Sequence, residues 1–342
     1  MPPRSPNRAP TISDVAKILD VSRSTVSRAY SRPELLSEAT VKAIHATAAK
    51  LGYKPNQVAR ALSTGRHGNI AIVVPDIANP FFPPLLRAAQ VAADGGGFSL
   101  FLGDSDEDPV RESVLLERLM MQTEGFVLAS SRMPDQKIQE LAARHPLVLV
   151  NRDTPGIPRV LIDTASGIDA AVMHLAELGH KRLVYVSGPA ASWSDQQRRQ
   201  AVRRAVTRQK LTMEPVAAER PTFNAGKAVT MAVLKTKATA AITFDDFVAQ
   251  GLLAGMDEQG VIVPRDFSVI GCDDVLGAST HPALTSISAP CSEAGRMAME
   301  MLLSILQSGK MTDLRCVLDT QLVVRATTAP RPVSRKSTSN SR

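Results

Sequence analysis

A chain of 342 residues, 44% hydrophobic and 21% charged, is long enough for two or three domains with proper cores. Its formal charge of +7 is unevenly placed. Residues 1–68 hold eleven Lys and Arg against four Asp and Glu, a net +7 for that stretch alone. Residues 331–342 add Arg331, Arg335, Lys336 and Arg342 with no acid, which leaves 69–330 at −4 if the total is to come to +7. A basic head on an acidic body suits a nucleic-acid binder and argues against membrane-surface binding by the body. No apolar run is long enough to span a bilayer, and residues 1–10 lack the apolar core of a secretory signal. Cys272, Cys291 and Cys316 are too widely spaced for a disulfide framework or a C-x-x-C metal pair, and the histidines show no metal spacing. A reducing cytoplasm, and no cofactor, is the expectation.

In chain order, residues 1–10 read as a disordered arm. Ile12, Val15, Ala16 and Leu19 then fall at the i, i+3, i+4, i+7 spacing of one buried helical face. Asp20 stands where a turn wants left-handed tolerance, which Asp supplies less comfortably than Gly. Ser22 is a good N-cap for a second helix. Val21 and Val26 continue the apolar surface, while Arg23, Ser24 and Thr25 lead the exposed side. An Arg that can fork onto guanine, beside two hydroxyls, suits a DNA major groove. A solvated helical hairpin is the plainer reading of the same residues. A third helix over 39–50 brings Val41, Ile44, Ala48 and Leu51 to the same small core.

Past a flexible joint at 65–68, strands and helices alternate. The run 70–75 is a continuous apolar strand, as expected where both sheet faces are covered. Helices over 84–94, 109–121 and 135–144 and strands over 99–102, 125–129 and 147–150 make a first unit. Helix 165–178, strand 182–186, helices 196–209 and 225–234, strand 240–243, helix 247–259 and strand 268–271 make a second. Strand 284–287, helix 292–308 and short strands at 315–318 and 321–324 follow. The economical fold is α/β: an all-α head on two doubly wound halves with parallel sheets. Asp245 and Asp246 close one strand of the second half. Asp273 and Asp274 follow another, so at least one carboxylate should face the crevice at the strand ends, where it can accept from adjacent sugar hydroxyls. Capping of the following segments is the competing role for Asp246 and Asp274. Trp193, expected in a loop, could stack on a sugar face or pack over that loop. Phe81, Phe82 and Phe223 could wall the crevice, the first two equally serving as core.

Asp14-Val-Ala16, Val21-Ser-Arg-Ser-Thr-Val-Ser-Arg28 and Gly52-Tyr-Lys-Pro-Asn-Gln-Val-Ala-Arg-Ala-Leu62 occur in the order and spacing of the LacI/GalR family of bacterial repressors. The body adds Asn79-Pro-Phe-Phe82, Leu178-Gly-His180, Ser187-Gly-Pro189 and Leu322-Val-Val-Arg325, so the chain resembles that family over about 11–330. The resemblance implies a helix-turn-helix domain over 11–55 and a hinge helix and linker over 56–68. It further implies a two-lobed periplasmic-binding-protein-like core over 69–330, and a basic tail over 331–342. Lobe 1 would take about 69–161 and 290–320, and lobe 2 about 162–289 and 321–330.

DNA contacts would come from Ser22, Arg23, Ser24, Thr25, Ser27, Arg28 and Asn56. Val58 and Ala59 would pack the paired hinge helices, and Leu62 would wedge into the minor groove. An isolated helix of that length is marginal in water, so it should order only on DNA. Arg198 and Asp273 fall on the family's effector-binding positions. Asp245 stands where the family usually has Asn, and Asn151 and Ser31 depart from its usual Asp and Asn. The function implied is a transcription repressor of a carbohydrate operon. It would bind palindromic operator DNA as a homodimer and be switched by a small sugar or sugar acid. A solute-binding protein for transport is the alternative for the body, but it leaves the basic head without a purpose. An enzyme is disfavoured, because no G-x-x-x-x-G-K-[ST], G-x-G-x-x-G or G-x-S-x-G sits at a strand-to-helix junction.

Overall fold

The computed structural model describes residues 10–53 and 67–331. The chain divides into two units, Met1–Gly68 and Asn69–Arg342.

The first unit holds α1 (Ile12–Ile18), α2 (Arg23–Ser31), a 3-10 turn (Pro33–Leu35) and α3 (Glu38–Leu51). The Thr11 amide donates to Asp14 Oδ2 at 2.8 Å, Ser22 Oγ accepts from Thr25 N at 3.0 Å, and Ser37 Oγ accepts from Thr40 N at 3.2 Å. Each bond satisfies an N–H that the first turn of a helix leaves open. Asp20 makes the turn at φ 50°, the left-handed conformation its position demanded. Val15, Ala16, Val26, Ala29, Ile44 and Ala48 form the buried core, with Leu19, Val21 and Leu51 packed around it. Val41 is only half-buried.

The second unit runs β1 (Asn69–Val74), α4 (Phe82–Gly95), β2 (Ser99–Asp104), α5 (Pro109–Met120), β3 (Phe126–Ala129), α6 (Asp135–Ala142), β4 (Leu147–Val150) and β5 (Arg159–Asp163). It continues through α7 (Ala165–Glu177), β6 (Arg182–Ser187), α8 (Trp193–Arg208), β7 (Thr212–Ala217), α9 (Phe223–Ala228) and α10 (Thr230–Lys235). The last elements are β8 (Ala240–Thr243), α11 (Asp246–Glu258), β9 (Ser268–Asp273), β10 (Thr285–Ser288), α12 (Cys291–Ser308), β11 (Arg315–Asp319) and β12 (Gln321–Val323).

Two six-stranded sheets result, ordered β11-β5-β4-β3-β1-β2 and β12-β10-β9-β8-β6-β7. Every ladder is parallel except β10–β12. The chain passes between sheets after β5, again between β10 and α12, and a last time between β11 and β12. α12 packs on the first sheet with α4, so close that a Cβ on Gly295 would lie 2.2 Å from the Leu85 carbonyl oxygen. Among the described residues no helix is long and apolar enough to cross a membrane.

Several elements differ from expectation, each for a local reason. β7 is an added edge strand, mostly exposed and carrying Pro215, whose missing N–H is tolerated only at an edge. β5 is also added, and it carries the first lobe's sheet to Asp163 rather than ending it at 161. The single helix expected over 225–234 is two, Phe223–Ala228 and Thr230–Lys235. α8 starts at Trp193 because Ser192 caps it, accepting from Asp195 N at 3.2 Å. Trp193 is therefore the first helical residue, not part of a loop.

Candidate functional site

On the head, burial alternates along α2 as helical geometry requires. Val26 and Ala29 point into the core, while Arg23, Ser24, Ser27 and Arg28 are exposed and Thr25 is half-buried. Ser22 is exposed but committed: its hydroxyl also lies 2.7 Å from Ser24 Oγ and 2.8 Å from Thr25 Oγ1. Ser31 bends back to donate to the Ser27 carbonyl at 3.0 Å. Arg23 and Arg28 carry no ion pair among the described residues, which leaves two cations and their neighbouring hydroxyls open to a partner. Asn56, Val58, Ala59 and Leu62 lie outside the described residues, as do the arm and nearly all of the tail.

In the core, the carboxyl ends of the strands from both sheets converge on one cleft. Four of its lining residues adopt left-handed backbone: Glu107 (φ 61°) after β2, Ser130 (55°) after β3, Asn151 (52°) after β4 and Asp273 (100°) ending β9. Strained backbone of this kind persists only where its surroundings hold it, and it concentrates at functional sites. The Asn151 amide oxygen accepts from Ile162 N at 3.0 Å, so the amide is locked against its own sheet.

Arg198 reaches in from α8. Its Nη2 donates to Asp273 Oδ1 at 2.6 Å, its Nη1 donates to the Phe244 carbonyl, and its guanidinium carbon sits 4.9 Å from the centroid of the Phe244 ring. Both members of the ion pair are almost wholly buried. Burial pulls the Arg198 pKa down, but the surrounding acidic groups, Asp273 foremost and Asp245 among them, together outweigh it and hold the group charged. Burial pushes Asp273 up despite that partner. Nε of Arg198 is buried without a hydrogen-bond partner among the described residues, an unsatisfied donor within the site's own cation.

Asp245 N-caps α11, its Oδ1 accepting from Val248 N at 2.8 Å while Oδ2 accepts from Asn79 Nδ2 at 2.8 Å. Asn79 belongs to the first lobe and also donates to the Pro221 carbonyl, so this amide ties the two sides of the cleft together. Burial, and then the charge of Asp273, push the Asp245 carboxyl up to about 7. Asp246 is also pushed up to about 7 by burial, but it serves structure: it accepts from Ser286 Oγ at 2.5 Å and Leu276 N at 3.2 Å. Asp274 is held by Arg325.

The cleft thus gathers Arg198, Asp273, Asp245, Asn151 and Phe81. Phe82 joins them, in a T-shaped pair with Phe81 at 5.1 Å, and both rings also belong to the core. Two expected residues are elsewhere. Phe223 opens α9 and lines a separate cavity with Val261, Ile262 and His281. Trp193 is half-buried and does not line the cleft, although Ser192 and Ser194 on either side do. Sequence reasoning missed Asn79, Glu107, Ser130 and Arg132. The strand-end rule that found Asp273 also reaches Glu107 and Ser130, and Asn79 lay in a motif already noticed.

The fold is shared with known proteins. A model of bacterial regulatory proteins of the lacI family matches residues 11–56, and a periplasmic binding protein-like domain matches 172–328. The HTH-type transcriptional repressor CytR of Escherichia coli (strain K12) is 32% identical over 333 residues, spanning 95% of this chain and 98% of that protein. The chain belongs to the LacI family. It is a DNA-binding transcription regulator of that family and not an enzyme. The lac repressor dimer bound to operator and the anti-inducer ONPF is similar over 94% of this chain and 100% of that one, at 25% identity and a TM-score of 0.83. A LacI family transcriptional regulator from Enterococcus faecalis V583 with bound ribose is 31% identical over 77% of this chain and 99% of its own, with a TM-score of 0.69.

Proposed function

We propose that this LacI-family regulator acts in the cytoplasm as a homodimeric repressor of a carbohydrate operon. One head would read each half of a palindromic operator, with Arg23, Ser24, Thr25, Ser27 and Arg28 at the major groove. Leu62 would wedge the operator centre, flanked by packed Val58 and Ala59, with Asn56 at the start of the hinge. A small sugar or sugar acid in the cleft would bridge the lobes, held by Arg198 and Asp273 with Asn151 and Asp245 beside them. Its differential contacts with open and closed lobes would supply the coupling to DNA affinity. The observation that carries this reading is the buried Arg198–Asp273 pair. It presents a charged donor, an unsatisfied Nε and a charged acceptor together, in the cleft where the strand ends of both lobes meet. The lac repressor dimer on its operator and the ribose-bound Enterococcus regulator support it by similarity.

The test is a thermal-shift screen of the full chain against monosaccharides, sugar acids, sugar phosphates and purines, followed by operator titrations with and without the ligand found. A ligand at a hundred times its Kd should stabilise by about 2.7 kcal/mol. Operator affinity that changes with the ligand and falls steeply with salt would support the reading. Operator affinity that ignores every stabilising ligand would refute the switch.

A further inference from the structure

We propose that the cleft selects an uncharged polyhydroxyl ligand and excludes its phosphorylated or carboxylated counterparts, with Asp245 and the Glu107–Arg132 pair as the specificity-determining residues. This rests on the cleft being the effector site.

The charges facing the cleft carry the argument. Two guanidiniums line it, Arg198 and Arg132, and each already has a carboxylate partner that cancels its charge. Arg198 is paired with Asp273. Arg132 makes a two-pronged pair with Glu107, Nε to Oε2 at 2.6 Å and Nη2 to Oε1 at 3.0 Å, while its Nη1 donates to the Ser130 carbonyl at 2.9 Å. That pair is almost fully buried and therefore weakly screened. Asp245 is a third carboxyl lining the cleft, and it makes no ion pair among the described residues. Its carboxyl is pushed up to about 7, so near neutral pH the cleft carries a formal charge between zero and −1. Among the described residues, an entering phosphate or carboxylate would meet no cation without a carboxylate partner, and up to three carboxylates.

Helix N-termini around the cleft are partly filled. Such termini ordinarily favour anions through their open N–H groups, and three helices begin beside this cleft. At α11 the Asp245 carboxylate takes one of these N–H groups and sets its own charge there, and at α8 the Ser192 hydroxyl takes one. The N-terminus of α4 carries Pro83 and Pro84, which have no N–H to give.

Neutral hydroxyls fit what remains. A guanidinium has five N–H donors, and Arg198 and Arg132 each use only some of them; Arg198 Nε uses none. A hydroxyl can accept from such a donor and give its own proton to a carboxylate. The committed ion pairs thus keep their hydrogen-bonding capacity while cancelling their charge.

The test is isothermal titration of the full chain with three matched sets: D-ribose, D-ribose 5-phosphate and D-ribonate; D-glucose, its 6-phosphate and D-gluconate; D-galactose, its 6-phosphate and D-galactonate. At least one neutral sugar should bind, with its phosphate and acid bound at least about 100-fold more weakly, a gap of about 2.7 kcal/mol. Asp245→Asn keeps a good N-cap and removes a carboxylate, and should narrow that gap about tenfold. Glu107→Gln should free Arg132 and narrow it independently. Arg198→Lys, which keeps a cation beside Asp273 but loses the fork, should weaken the neutral sugar. An acid or phosphate that binds as tightly as its neutral parent, and is weakened by Arg198→Lys, overturns the charge rule and leaves the effector site standing. Binding by no member of any set, or binding indifferent to Arg198→Lys, overturns the effector site and the charge rule with it.

Discussion

The outward face of α2 and the cleft of the core both depend on arginine, and they hold it in opposite ways. Arg23 and Arg28 are exposed and without ion pairs among the described residues, whereas Arg198 and Arg132 are buried and each ion-paired to a carboxylate. The difference follows from solvation. A cation that is to meet DNA phosphates or base edges can wait in water at little cost and release counterions on binding. A cation that is to meet a small ligand inside a protein must be desolvated beforehand, and that is tolerable only beside a carboxylate. One region keeps its charge for its partner, and the other spends its charge on its own fold.

The sharpest way to break this contrast is to remove one half of a buried pair. Asp273→Leu should cost about 3–5 kcal/mol in urea unfolding of the full chain, because Arg198 is left buried and uncompensated. Arg198→Met combined with Asp273→Leu should recover most of that loss. A double variant as unstable as the single one would mean that packing, not charge, dominates there. Arg23→Ala should move stability by no more than about 0.5 kcal/mol, as an exposed side chain does.

On DNA the order reverses. Arg23→Ala should weaken operator binding by about 1–3 kcal/mol and relax preference at one base pair. Affinities measured across single-base operator variants would show this, and a loss equal at every variant would mean that Arg23 touches phosphate only.

The buried acids make stability depend on pH. Asp245 and Asp246 have carboxyls pushed from an ordinary 3.8 up to about 7, so the fold binds their protons more tightly than the unfolded chain does. Their contribution is most favourable below about pH 4 and is lost as pH rises towards 7. Tm of the core should therefore decline across that window, by up to about 1.4 kcal/mol of stability per pH unit for each group titrating. Asp246→Asn should flatten the decline, and a slope unchanged by that variant would assign it to other groups.

Smallest of all, Asp20→Gly should stabilise the head by about 0.5 kcal/mol. The gain from relieving φ 50° exceeds, by that margin, the extra freedom glycine has when unfolded. A thermal melt of the full chain followed at the head would register it, and a loss would show that the Asp20 side chain contributes to the turn.

Much of this was legible from residue order. Ser22, Arg23 and Val26 announce a capped helix with one wet and one dry face, and they are found so. The continuous apolar runs of β1, β3 and β4 mark strands covered on both faces, and all three are buried. At the strand ends, Asn151, Asp245 and Asp273 could be picked out as residues facing a crevice. β7 was illegible because an edge strand needs no apolar alternation and can hold Pro215. Trp193 and Phe223 were misplaced because an aromatic side chain advertises burial but not the cavity it borders. Arg132 and Glu107 were missed because they are 25 residues apart and meet only when β2 and β3 are set on either side of β1.

What the sequence determined by itself is therefore what short range decides: periodicity, caps, turn chemistry, the basic head and, through ordered motifs, the family. Only the tertiary structure decided which guanidiniums are committed, that Asn79 ties Asp245 across the cleft, and that a carboxyl takes a proton near neutrality. Those properties depend on desolvation and on charges brought within a few ångströms from distant parts of the chain, and neither distance nor dielectric is written in residue order.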